Sequence, residues 1–231
     1  MPLGPSLPPR LVVFDVDGTL HDAFGWWPRV LRRGLAAFAA ERGFAVELPD
    51  DGAACAVIGK RDAEVWSPFL PPEHRALWPE LRAAVVPLEC EELRGGIDWL
   101  YPGMRSLLLR LREAGVATAI ASNCRRLYFS AVCEGLGLAY LTDWQFCLDS
   151  EGVVDKTTMV AAALRAAGTR SAVVVGDREA DREAALAHGL PFVWRRSPYC
   201  ALAADAVWGG SPGELLSMLG VRPPRTGPGP E

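Results

Sequence analysis

Lysine is nearly missing from this chain. Its 231 residues hold only Lys60 and Lys156, so the other 22 of the 24 basic residues are arginine. A lysine kept against such a bias is expected where a compact point charge, rather than a planar fork, is needed. Histidine is also scarce, and His74 and His188 show no metal-ligand spacing. The six cysteines (Cys55, Cys90, Cys124, Cys133, Cys147 and Cys200) form no CxxC pair. That spacing argues against zinc or a disulfide framework and leaves free thiols as the expectation. No apolar run approaches the roughly 18 residues of a membrane-spanning helix. The start, MPLGPSLPPR, lacks an apolar h-region, so no signal peptide is expected and a cytoplasmic location is. Excess positive charge is absent too. The net charge of −4 gives no reason to expect nucleic acid or an anionic membrane as partner.

What remains is ample material for a core. Half of the residues are hydrophobic and 23% are charged, the balance of a globular protein. Short apolar runs at 11–14, 116–121, 144–147, 172–176, 192–194 and 206–208 end at turn or polar residues. Such runs predict strands buried on both faces of a parallel sheet. Helical patterns fall between them at 103–114, 125–137, 156–167 and 178–188, several ending at glycine. The alternation predicts an α/β fold with a Rossmann-like parallel sheet.

Residues 21–100 read differently. WWPRVLRRGLAAFAAERG places Trp27, Leu31, Leu35 and Phe38 on one helical face, and further helical stretches are expected near 53–66 and 73–86. Pro79 is expected to kink or split the second. The predicted organisation is a flexible stretch over 1–10, a discontinuous core of 11–20 and 101–219, a helical insertion over 21–100, and a disordered Pro/Gly-rich tail over 220–231. Trp26, Trp27, Trp66, Trp78 and Trp99 are expected to pack inside the insertion, with none assigned to a ligand.

The first strand runs straight into two carboxylates. LVVFDVDGTLHD places Asp15 and Asp17 at the carboxyl end of a strand, where open α/β sheets hold their ligands. Alternation points both to one side. Carboxylates so close repel unless a cation or proton lies between them, and a hard cation such as Mg²⁺ suits oxygen ligands. A second run, AVVVGDREAD, delivers Asp177 and, one helical turn later, Asp181 to the same edge. VATAIASN ends at Ser122 and Asn123, a hydroxyl and a following N–H suited to an anion such as phosphate. Lys156, in GVVDKTTM, opens a helix against the macrodipole, which makes sense if it faces carboxylates and a phosphate. His21 and Asp22 stand where the chain leaves for the insertion, as a hinge or as a helix cap. VIGKRDAEVW is not a phosphate loop, because Ala54 stands where its first glycine belongs. Lys60 and Arg61 there either reach a substrate or lie on a solvated face.

Taken in order, DVDGT (15–19), SN (122–123), Lys156 and GDREAD (176–181) resemble the haloacid dehalogenase superfamily. YPGMRSLLLRLREAGVATAIASN and the position of the helical block resemble its phosphoglycolate-phosphatase-like branch, which carries an α-helical cap. The resemblance implies hydrolysis of a small phosphomonoester through an aspartyl-phosphate. It makes Asp15 the nucleophile and Asp17 the acid/base. Mg²⁺ would be held by Asp15, Asp17 through its backbone carbonyl, Asp177 and Asp181. Ser122, Asn123 and Lys156 would hold the phosphoryl oxygens. The expected partner is a small phosphorylated metabolite. A monomer is the default, with a homodimer open. A phosphomutase of the same superfamily, or a non-catalytic phosphate-binding or regulatory protein on this fold, are the alternatives. A dehalogenase is disfavoured, because such members lack the acid/base corresponding to Asp17.

Overall fold

Six short strands pair in one parallel sheet. The computed structural model describes residues 8–221. The strands are β1 (Leu11–Phe14), β2 (Ala117–Ser122), β3 (Trp144–Cys147), β4 (Ala172–Gly176), β5 (Phe192–Arg195) and β6 (Ala206–Trp208). Their order is β3-β2-β1-β4-β5-β6, with every neighbouring pair parallel. Strand order reverses on either side of β1, the kind of switch point where open sheets bind ligands. Register does the rest. Phe14 lies level with Ile120 and with Val175, so β1, β2 and β4 deliver their next residues to one edge. The β1 side chains alternate between two cores. Val12 and Phe14 pack on one face, and Leu11 and Val13 on the other. A strand covered on both faces has no polar side, hence its continuous apolar run.

The helical block follows β1. It comprises α1 (Ala23–Arg42), the short α2 (Asp51–Cys55) and α3 (Ala63–Trp66), two 3₁₀ turns over 67–69 and 72–77, and α4 (Trp78–Arg94). The predicted stripe Trp27, Leu31, Leu35 and Phe38 is buried, and α1 packs along α4. The stretch expected over 73–86 is split beside Pro79, into the 3₁₀ turn that ends at Leu77 and α4. Pro79 sits in the first turn of α4, where its missing N–H has no partner to lose, and the proline inside the helix is Pro87. The stretch expected as one helix over 53–66 is two short helices with a loop between. The chain leaves at residues 21–22 and returns at 99–101. These crossings pair through Asp22 N–H to Trp99 O at 2.8 Å and Tyr101 N–H to Leu20 O at 2.9 Å.

The remaining helices are α5 (Met104–Glu113), α6 (Arg126–Gly135), α7 (Leu138–Leu141), α8 (Lys156–Ala167), α9 (Glu179–Ala187) and α10 (Pro212–Met218). The helix expected over 125–137 is α6, and Gly137, in the left-handed conformation, separates it from the short α7 beyond. Order extends beyond the predicted limits at both ends. Arg10 N–H bonds Ser171 O, and Val221, placed by the sequence in the tail, is buried. The other residues of the expected flexible start and tail, 1–7 and 222–231, lie outside the described residues. All six cysteines are free. Among the described residues, no helix is long and apolar enough to cross a membrane.

Candidate active site

Asp15 follows β1 directly, its N–H still bonded to Val175 O at 2.9 Å. Its carboxylate is 5% exposed and meets Lys156, whose Nζ donates to Asp15 Oδ1 at 2.6 Å. The same ammonium lies 2.8 Å from Asp181 Oδ1 and donates to Ala121 O at 2.7 Å. Lys156 is the first residue of α8, placed there by the Asp155 cap, which accepts from Thr158 N–H. Burial alone would lower the Lys156 pKa, but the Asp15 and Asp181 carboxylates outweigh it and hold the ammonium above its ordinary value. Burial pushes Asp15 up to about 7, against the pull of Lys156. Lys156 Nζ thus donates to Asp15 and the Ala121 carbonyl and forms an ion pair with Asp181. The lysine that the sequence expects to hold phosphoryl oxygens lies against Asp15 and Asp181.

Asp177 and Asp181 arrive from β4. Asp181 is 1% exposed and has two duties: Oδ2 accepts from Arg178 N–H at 3.0 Å at the start of α9, and Oδ1 faces Lys156. Asp177 has no exposure, and neither of its carboxylate oxygens receives a hydrogen bond from the described residues. Arg178 Nε lies 3.2 Å from Oδ2. Burial, then the Asp15 charge, holds Asp177 well above the usual carboxylate range. Oxygens of Asp15, Asp177 and Asp181 lie within 4.8 Å of one another. Two orphaned buried oxygens beside a second carboxylate form a donor set that fits a hard divalent cation. Gly18 explains why the motif needs glycine. Its φ is +87°, and a Cβ there would sit 2.8 Å from Asp177 Oδ2.

Asp17 is oriented by residues that the sequence did not single out for that role. His21 Nδ1 lies 2.7 Å from Asp17 Oδ1, and the Trp26 indole donates to His21 Nε2 at 2.9 Å. An indole N–H only donates, so Nε2 must accept and Nδ1 carries the proton toward Asp17. Tyr128, from α6, donates its hydroxyl to the same Oδ1 at 2.8 Å. Asp17 Oδ2 takes no bond from the described residues. His21 is fully buried and therefore more than a hinge, while Asp22 is the cap of α1, accepting from Gly25 N–H.

Above this cluster a cavity opens between sheet edge and helical block. Asp15, Asp17, Ser122 and Asn123 line its floor, and Trp27, Trp66, Lys60 and Glu89 are among its walls. Ser122 is buried at the floor. The Asn123 side chain is turned elsewhere, its amide donating to Gly59 O at 3.2 Å. That bond belongs to a set that ties the loop after α2 to the sheet edge. Arg178 reaches Cys55 O at 3.1 Å, and Arg125 clasps both Asp62 oxygens at 3.2 and 2.8 Å. Asp62 is the one non-glycine described residue with positive φ, at 46°. Lys60 reaches the cavity, whereas Arg61 is turned away onto Val154 O.

Parallel sheet, acidic edge and inserted helices define a class: α/β proteins whose reaction edge is covered by a helical cap. A family model carries the assignment further. The model of the haloacid dehalogenase-like hydrolases matches residues 9–189, and the chain belongs to that family. Among solved structures it resembles a protein described as a phosphoglycolate phosphatase, from Lactobacillus plantarum. The TM-score is 0.73 and identity 17%, over 92% of this chain and all of that one. It also resembles CbbY from Rhodobacter sphaeroides, solved with xylulose-(1,5)-bisphosphate (TM-score 0.66, 20% identity, 87% of this chain and 94% of that one). Curated relatives in Mycobacterium tuberculosis and Mycobacterium bovis are named tyrosine-protein kinase PtkA and are 27% identical over 200 residues. The match takes in 82% of this chain and only 62% of the length of those relatives.

Proposed function

We propose that this protein is a Mg²⁺-dependent phosphatase that hydrolyses a small phosphomonoester through an aspartyl-phosphate on Asp15. The observation that carries the reading is the pairing of Asp15 with Asp17 at one sheet edge, braced by buried Lys156, beside orphaned Asp177 and under a cavity. Residues 11–20 and 101–219 form the catalytic core, and residues 21–100 the cap that shuts out water and selects the substrate.

In the first step an Asp15 oxygen attacks phosphorus and the bond from phosphorus to the leaving oxygen breaks. Asp17 gives its proton to that oxygen from Oδ2, the atom left free by His21 and Tyr128. In the second step Asp17 takes a proton from water, which attacks the acyl-phosphate; inorganic phosphate leaves and Asp15 is restored. The Ser122 hydroxyl and the Asn123 segment hold phosphoryl oxygens. Lys156 contributes its charge, which opposes the burial penalty on the ionised, nucleophilic form of Asp15. Asp15, the Asp17 carbonyl and Asp177, with Asp181 in support, would hold Mg²⁺, whose charge would offset the negative charge that builds up during phosphoryl transfer.

The test is phosphate release from a panel of phosphomonoesters. Release is expected with Mg²⁺, to be lost on adding EDTA and restored by excess Mg²⁺. Activity indifferent to chelation would remove the metal from the account. The name of the mycobacterial relatives favours a second reading, transfer of the phosphoryl group to an acceptor hydroxyl rather than water. A phosphomutase is the small-molecule form of that outcome. Label appearing on an acceptor instead of as free phosphate would select it.

A further inference from the structure

We infer that Glu89, Trp27 and Trp66 form the leaving-group subsite. It accepts an apolar, ring-sized body ending in an O–H or N–H donor, and it disfavours a carboxylate. This rests on the phosphatase reading above.

Glu89 is an acid on an apolar helix face. On α4 the buried stripe is Leu81, Val85, Val86, Glu89, Cys90 and Leu93. Glu89 is the one ionisable side chain among them able to carry a negative charge near neutrality, and it is 3% exposed. No cation pairs with it among the described residues. Its one hydrogen bond comes from Trp27 Nε1, at 2.5 Å to Oε1. Satisfying an indole N–H needs only a neutral acceptor, so Trp27 does not explain a carboxylate there. Burying a carboxyl without a partner costs free energy. Oε2 takes no bond from the described residues, and Glu89 lines the cavity that Asp15 and Asp17 share. A ligand that presents a donor to Oε2 removes that cost.

The walls set the rest of the chemistry. Trp27 and Trp66 meet edge to face, ring centroids 5.9 Å apart, and Val65 and Val86 line the cavity with them. Such walls take an apolar, ring-sized body. The charges work against an acidic end. Asp17 and Glu89 already share the cavity, and a third carboxylate would be repelled. Arg125 lines the cavity too, but its charge is matched by Asp62 and Asp149. Lys60 is exposed and Arg82 half-buried, so solvent screens both.

The test uses four phenyl phosphates that differ only in the para substituent: 2-aminoethyl, 2-hydroxyethyl, ethyl and carboxymethyl. kcat/KM is measured with Mg²⁺ for wild type, Glu89→Gln and Glu89→Leu, with melting curves to check folding. Wild type is expected to favour the two donor-bearing esters over the carboxymethyl ester at least ten-fold. Glu89→Leu should collapse that ratio toward one. Glu89→Gln keeps an acceptor for Trp27 but places an N–H donor where Oε2 stood, so it should lose the preference for both donor-bearing esters over the carboxymethyl ester while keeping the Trp27 bond. Preference of wild type for the carboxymethyl ester, or a ratio unmoved in folded Glu89→Leu, overturns the subsite while leaving the phosphatase reading intact. Failure of wild type to release phosphate from any of the four overturns both.

Discussion

Asp17 has one oxygen tied down and one free, and three side chains make it so. His21 and Tyr128 both donate to Oδ1, and Trp26 fixes the His21 ring from behind. If this trio positions the acid/base, Tyr128→Phe should lower kcat about ten-fold with little change in KM. His21→Phe should do the same and also cost about 1–3 kcal/mol, because the buried Trp26 N–H loses its acceptor. The two act on one atom, so the double variant should fall short of the product of the single effects. Strictly multiplicative losses would show that they do not work through Asp17. Glu89 offers a separate test. Burial raises its pKa from 4.5 to about 7. Between those values the folded protein keeps a proton that the unfolded chain has released, so stability falls as pH rises from about 4.5 to about 7 and is level above. The loss is on the order of 3 kcal/mol. Glu89→Gln removes it, and the variant should gain on wild type in melting temperature between pH 4.5 and pH 8. An equal difference at both pH values would contradict a buried, proton-linked Glu89. Asp15, Asp17 and Lys156 stood out because each interrupts a pattern: a strand ending in acids, one of two lysines among arginines. Glu89 interrupts one too, as an acid within an apolar helical stripe, and that signal was available. Tyr128 had none, since an aromatic in the first turns of a helix after β2 usually packs in the core.

At the scale of elements, the helices of the cap meet the core through close approaches that sequence alone does not reveal. Gly135, at the end of α6, lies against α4 so tightly that a Cβ would fall within contact distance of the Leu93 carbonyl oxygen. A helical Gly→Ala change normally stabilises. Here the backbone must give way instead, and Gly135→Ala should destabilise by about 1–3 kcal/mol. A melting temperature at or above wild type would mean that α4 and α6 are not held at that distance. The strands were readable to within a residue, because burial on both faces leaves an unbroken apolar run. The short elements were not. Pro79 looked like a breaker, yet a proline in a first turn is compatible with helix, and only the place where α4 begins decides between the two. The loop tied down by Arg125, Asn123 and Arg178 depends on partners far away in sequence, so no local pattern announced it.

For the whole molecule, the sheet order is what turns scattered motifs into one site. Asp15, Ser122 and Asp177 are distant in the chain, but β1, β2 and β4 are neighbours in register. The apolar runs made the parallel sheet legible, and the position of the motifs made the insertion legible. The fit of cap to core, which forms the cavity, rests on three-dimensional packing. The account stands on Asp15 as nucleophile. Its most direct test is phosphate release with Mg²⁺ by wild type beside Asp15→Asn, using p-nitrophenyl phosphate. Wild type should turn over and Asp15→Asn should remain at background, with a melting temperature within a few degrees of wild type because Asp181 still pairs Lys156. Asp15→Asn releasing phosphate at the wild-type rate would contradict the account.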